Sequence, residues 1–223
     1  MRKLNSTAMK QQSFKKTKGW GGRRKGAGRP NKSGNSGHTQ RPLVDARKPL
    51  HLTLKLKKGA ASLRHKWFLK AFQQALKSAQ KFGLRVNHFS ILNDHIHMIA
   101  EVGDNRALSH GMKSLAGRLG HALSSGGPVF KARFHLHVLK TPSEMKNALR
   151  YVLLNPARHK RVIAYLDEFS TARYFLQWQK LLGVAFEPLL RDELSRLRLS
   201  GCPEYLAPIQ SWLGSVGWQR ARS

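Results

Sequence analysis

The chain has 223 residues, 40% of them hydrophobic, which is enough for one well-buried domain with extensions and too few for two large ones. Lys and Arg number 41 against 11 Asp and Glu, a net charge of +30 that excludes an ordinary soluble enzyme working without a polyanionic partner. Such a surface binds phosphate backbones through counterion release, so nucleic acid is the expected partner.

A single cysteine, Cys202, excludes an intrachain disulfide and a cysteine-rich zinc site. No apolar run reaches the ~20 residues of a membrane helix, and the start of the chain lacks the roughly 7 to 15 apolar residues of a signal peptide. A cytoplasmic location, away from membranes and beside DNA and RNA, is expected.

Residues 1 to 48 carry fourteen Lys or Arg and one acid, Asp45, among Gly, Ser, Asn and Gln. So little apolar surface cannot offset ordering entropy, and residues 1–46 are expected to form a basic disordered arm. Within it, Arg23, Arg24, Lys25 and Arg29 are candidate DNA contacts. Gly28-Arg29-Pro30 resembles the Arg-Gly-Arg-Pro core of minor-groove hooks, with Ala27 in place of the first arginine; a generic basic arm is the plainer reading.

From Pro49 the pattern changes. Leu50, Leu52, Leu54 and Leu56 alternate with polar residues, which predicts a half-buried strand. Ser62 is placed to cap a helix whose apolar positions run from Leu63 through Trp67, Phe72 and Leu76 to Phe82, closed by Gly83. Residues 84–92 read as a second strand, Asn93-Asp94 as a tight turn, and residues 95–102 as a third strand paired with the second.

Asn105 is placed to cap a helix to Leu123. Residues 130–139 read as a fourth strand whose outward Lys131 and Arg133 are further candidate DNA contacts. Thr141-Pro142-Ser143-Glu144 opens a third helix running to about Asn155, where Pro156 disfavours helical geometry in its predecessor.

The order strand, helix, strand, strand, helix, strand, helix predicts an α+β, ferredoxin-like antiparallel sheet with packed helices over residues 47–160. Residues 161–223 read as a helical and loop C-terminal extension holding Trp178, Trp212 and Trp218 and six of the eleven acids.

Two groups of residues carry chemistry. His95 and His97 lie two apart on a strand, so both imidazoles share a face about 6.5 to 7 Å apart along the backbone and can converge on one cation. Tyr151 and Asn155 lie four apart on a helix, so a phenol and an amide share a face. Each also has a plain structural reading. His135 and His137 repeat the histidine spacing, an aromatic among aliphatics is commonly core, and Asn before Pro commonly ends a helix.

Asn93-Asp94-His95-Ile96-His97-Met98-Ile99 resembles the N-H-x-H segment of the IS200-like single-tyrosine (HUH) transposases. Likewise, Tyr151-Val152-Leu153-Leu154-Asn155-Pro156 resembles the Y-x-x-x-N-P helix of their relatives associated with repetitive extragenic palindromes. The resemblance covers about residues 47–160. It implies that His95 and His97 ligate a divalent metal with Asn155 as third ligand, and that Tyr151 is the nucleophile on single-stranded DNA with hairpins. It leaves His135 and His137 as strand surface or DNA contact.

Mixed nitrogen and oxygen ligation suits Mg or Mn. The implied activity is cleavage and rejoining of DNA through a 5′-phosphotyrosine, with the site formed in one chain or in a homodimer that exchanges the tyrosine helix. The alternative is a non-catalytic, domesticated nucleic-acid-binding protein of the same fold. A structural zinc site would lack its usual cysteine partners.

Overall fold

A computed structural model describes residues 41–123, 128–131, 133–155, 167–182 and 203–221. The basic segment holding Arg23, Arg24, Lys25 and Arg29 lies outside the described residues. Four strands, β1 (Leu50–Lys55), β2 (Arg85–Ile91), β3 (His95–Glu101) and β4 (His135–Val138), form one sheet in the order β2-β3-β1-β4. Every neighbouring pair is antiparallel. With helices α1 (Lys66–Gln80) and α2 (Asn105–Leu123) in the two crossovers, this is the expected ferredoxin-like α+β plan.

The alternation in β1 decides the two faces of the sheet. Leu50, Leu52 and Leu54 are buried with Phe68, Phe72 and Leu76 of α1 and Leu108, Met112 and Leu115 of α2. His51 and Thr53 therefore point to the opposite face, where α3 (Pro142–Leu154) packs Met145, Leu149 and Val152 against Ile99 of β3. A one-residue slip of β1 would expose these leucines, at roughly 1.5–3 kcal/mol each, so the register is strongly specified. Residues 130–139 do not form one continuous strand: β4 holds only four residues, and Phe130 pairs separately with Leu56.

Two expected caps are corrected. The Ser62 hydroxyl accepts from Arg64 N at 3.2 Å, a local turn that competes with helix entry, and α1 begins only after His65. Leu63 N instead donates to Asn93 O, tying this segment to the β2–β3 turn. Trp67 and Phe82, expected on the apolar face, are about half exposed. At α2 the capping carboxylate belongs to Asp104, which accepts from Ala107 N at 2.7 Å. Asn105 lies within the helix, and its amide instead holds the backbone of Pro42 and Val44.

Gly83 has φ +82, the left-handed turn expected after α1. Gly111 on α2 is needed for a different reason: a Cβ there would lie 2.3 Å from Leu84 Cβ. Gly111→Ala should therefore push α2 away from Leu84 and destabilise the fold by about 1–3 kcal/mol, read as a lower urea midpoint. An unchanged midpoint would refute this close approach.

Thr141 caps α3, its hydroxyl accepting from Glu144 N, while the Glu144 carboxylate accepts from Lys140 N. The described C-terminal residues are joined to the same cores. Phe169 and Leu206 pack with the α1/α2 side, and Trp178, Leu213 and Trp218 pack with α3. Asp167 forms an ion pair with Arg64 at 2.7 Å. The buried carboxylate of Glu101 accepts from Gln210 N and Ser211 N, seating the chain that leads into the short helix Trp212–Ser215. No helix among the described residues is long and apolar enough to cross a membrane.

Candidate active site

The α3 face of the sheet carries an unusual density of imidazoles. Directly opposed residues of an antiparallel pair share a face, and the register pairs Thr53 with both His97 and His135, His51 with His137, and Lys55 with His95. Five histidines from three adjacent strands therefore point toward one side. His97 is buried, His51 and His95 are half-buried, and His135 and His137 are exposed.

The geometry distinguishes the two histidine pairs. His95 and His97 have ring centroids 4.6 Å apart, and Tyr151 presents its ring edge-on to His97 at 4.7 Å and to His51 at 5.8 Å. The phenol-bearing helix and the histidine strand thus meet within one chain. His135 and His137 lie on the far side of β1, as exposed strand surface.

Both inner histidines have Nδ1 held. His95 Nδ1 lies 2.6 Å from Asp94 Oδ1, so an Nδ1–H donates to the carboxylate, and in the neutral ring Nε2 keeps its lone pair. His97 Nδ1 lies 3.1 Å from Thr53 Oγ1 and 3.2 Å from His51 Nε2. In the tautomer protonated at Nδ1, His97 donates there, and its buried Nε2 has no hydrogen-bond partner among the described residues. This is how histidines are prepared for a cation, one ring nitrogen fixing orientation and tautomer while the other is presented.

Asn155 sits one turn beyond Tyr151 and, despite the proline that follows it, keeps right-handed helical geometry at φ −51, ψ −43. It therefore remains on the tyrosine's face, and its buried Nδ2 also has no partner among the described residues. Among the described residues no three His, Cys, Asp or Glu side chains are grouped to hold a metal. A metal here would need an amide oxygen beside two imidazoles, and Asn155 offers one.

Electrostatics keep His97 and His51 neutral. Burial pushes the His97 imidazole down to about 3, with the neighbouring His51 and His95 adding to the effect and Asp94 opposing it. Burial also pushes His51 down to about 4, helped by His135 and His137. The hydrogen bond from His95, with Lys55 nearby, holds Asp94 below the usual carboxylate range. Neutral imidazole is the ligating form, so His97 is ready to coordinate at neutral pH.

Lys131 and Arg133 are exposed in the segment before β4, with Lys131 N donating to Lys55 O at 2.9 Å. Sequence reasoning missed His51 and Thr53. The alternation of β1 did place them opposite the leucine face, but nothing local indicated that β1 lies beside β3.

No protein-family model matches the chain. No curated protein matches it either. Among solved structures, the chain is similar to a REP-associated tyrosine transposase bound to a REP hairpin, with a TM-score of 0.51 and 16% identity. The match covers 61% of this chain and 82% of that one.

Proposed function

From a chain that has the fold of the IS200-like single-tyrosine transposases, we propose an enzyme that cleaves and rejoins single-stranded DNA beside hairpins, acting in the cytoplasm. The observation that carries this reading is the meeting of Tyr151 with His97, itself beside His95, on one sheet face, with His97 Nε2 unpartnered among the described residues. The fold likeness and the net charge of +30 support DNA as the substrate.

In this reading His95 and His97 offer their Nε2 atoms, and Asn155 its amide oxygen, to Mg or Mn. When bound, the cation supplies Lewis-acid polarisation of the scissile phosphate. Asp94 fixes the His95 ring, while Thr53 and His51 fix the His97 ring. Tyr151 gives up its phenolic proton and its oxygen forms a bond to phosphorus. The P–O3′ bond breaks, and the departing oxygen takes a proton to leave a 3′-hydroxyl and a 5′-phosphotyrosine. One phosphodiester replaces another, so the 3′-hydroxyl of a second strand end can reverse the step and join to the phosphate.

Incubating the protein with hairpin-bearing single-stranded DNA and Mn tests this proposal. A covalent protein–DNA adduct is expected. Binding without an adduct under every metal condition would instead identify a non-catalytic DNA-binding descendant of the fold.

The basic N-terminal segment, with Arg23, Arg24, Lys25 and Arg29, adds phosphate contacts that position without specifying. Removing residues 1–40 should lower affinity for any sequence and flatten the dependence of log K on log salt, by roughly 0.7 for each single-strand phosphate no longer neutralised. An unchanged slope would assign the electrostatics to the folded domain alone.

A further inference from the structure

One feature at the start of α1 faces solvent. Along a helix that buries Phe68, Phe72 and Leu76, the three consecutive residues His65, Lys66 and Trp67 are exposed, with Trp67 at 51%. The rings of His65 and Trp67 are within 12° of parallel, with centroids 6.2 Å apart. Trp67 also stands edge-on to buried Phe68 at 5.8 Å, which fixes its plane. Two parallel rings held open to solvent in this way form a stacking surface.

The surroundings are cationic, with Lys55, Arg64 and Lys77 paired to acids, Asp94, Asp167 and Glu204, among the described residues near α1. Residues 46 to 93 contain eleven Lys or Arg and not one Asp or Glu. Lys57, Lys58, Lys66 and Lys70 are exposed around the start of α1. The segment is also tied to the candidate active site. Leu63 N donates to Asn93 O and Leu56 N donates to Asp94 O, and Asp94 is the residue that holds His95. The aromatic pair therefore lies at the end of the sheet where the histidine strand begins.

We propose that His65 and Trp67 form a stacking platform for an unpaired nucleobase in the single strand adjoining a hairpin, with the neighbouring lysines following its phosphates. An acidic peptide would match the charge but would leave the flat ring surface unused. A nucleotide strand matches both, because every base has a π-face and every linkage a negative charge. The identity of the polymer rests on the DNA reading above; the platform itself rests on ring geometry, exposure and charge.

The test measures equilibrium affinity of the full chain for two labelled DNA hairpins, one blunt and one with a single-stranded tail. Trp67→Ala should weaken binding of the tailed hairpin on the order of 10-fold and leave the blunt one unchanged. Trp67→Phe, which keeps a π-face, should recover most of the loss. Equal losses on both hairpins, or no loss on the tailed one, would overturn the platform. Adduct formation by the wild type on the tailed DNA is read separately. An adduct with no Trp67 effect removes the platform alone, whereas a tail-specific Trp67 effect with no adduct upholds the platform and removes the strand-transfer chemistry.

Discussion

Tyr151→Phe is expected to yield no covalent protein–DNA adduct, while its affinity for hairpin DNA stays that of the wild type. The substitution removes one oxygen and keeps the ring that stands edge-on to His97 and His51, so the packing of α3 on the sheet is preserved. Tyr151 is only partly buried against the α3 core, and the loss in stability should not exceed that of a hydrogen bond, about 0.5–1.5 kcal/mol. The effect on chemistry is total rather than graded, because no bond to phosphorus can form without the phenolic oxygen. Denaturing electrophoresis of labelled DNA reads the outcome directly. An adduct that persists in Tyr151→Phe would move the nucleophile to another residue and end the assignment.

The parts of this site that were legible in the sequence are those set by local periodicity. His95 and His97 share a face because strands repeat every two residues, and Tyr151 and Asn155 share one because helices repeat near every four. The element order also followed from the alternating leucines and the Asn93-Asp94 turn. What stayed hidden depends on pairing between distant segments. His51 meets His97 across 46 positions, and only the placement of β1 between β3 and β4 makes that contact. The caps of α1 and α2 were misplaced for a related reason: Ser62 and Asn105 are good capping residues by type, but backbone groups brought in from the β2–β3 turn and from Pro42 and Val44 compete for those segments.

The C-terminal residues were illegible because their partners lie elsewhere. Trp178 and Trp218 follow no period, and each belongs to a short turn or helix whose burial is provided by α3. Glu101, at the end of a strand, is buried because Gln210 N and Ser211 N donate to it from far along the chain. These contacts connect the segment after the tyrosine helix to the end of the histidine strand. Trp178, Leu213 and Trp218 pack with α3, whose Tyr151 stands against His97.

The second large effect falls on the histidine that is most enclosed. His97→Ala should lower Mn-dependent cleavage on the order of 10³-fold or more, since a Lewis acid on the phosphate contributes several kcal/mol to the barrier and each 1.36 kcal/mol is tenfold in rate. Salt-sensitive DNA binding should persist, because the lysines and arginines that carry it are untouched. His51 provides the control that separates coordination from support. Its Nε2 reaches His97 Nδ1, across the ring from Nε2, so His51→Ala should weaken Mn affinity by roughly 10–100-fold without removing a ligand. Raising Mn should then restore cleavage in His51→Ala and leave His97→Ala inactive. If His97→Ala cuts at the wild-type rate, or both variants are rescued alike, the cation lies elsewhere and the imidazoles beneath Tyr151 serve only to pack the tyrosine helix onto the sheet.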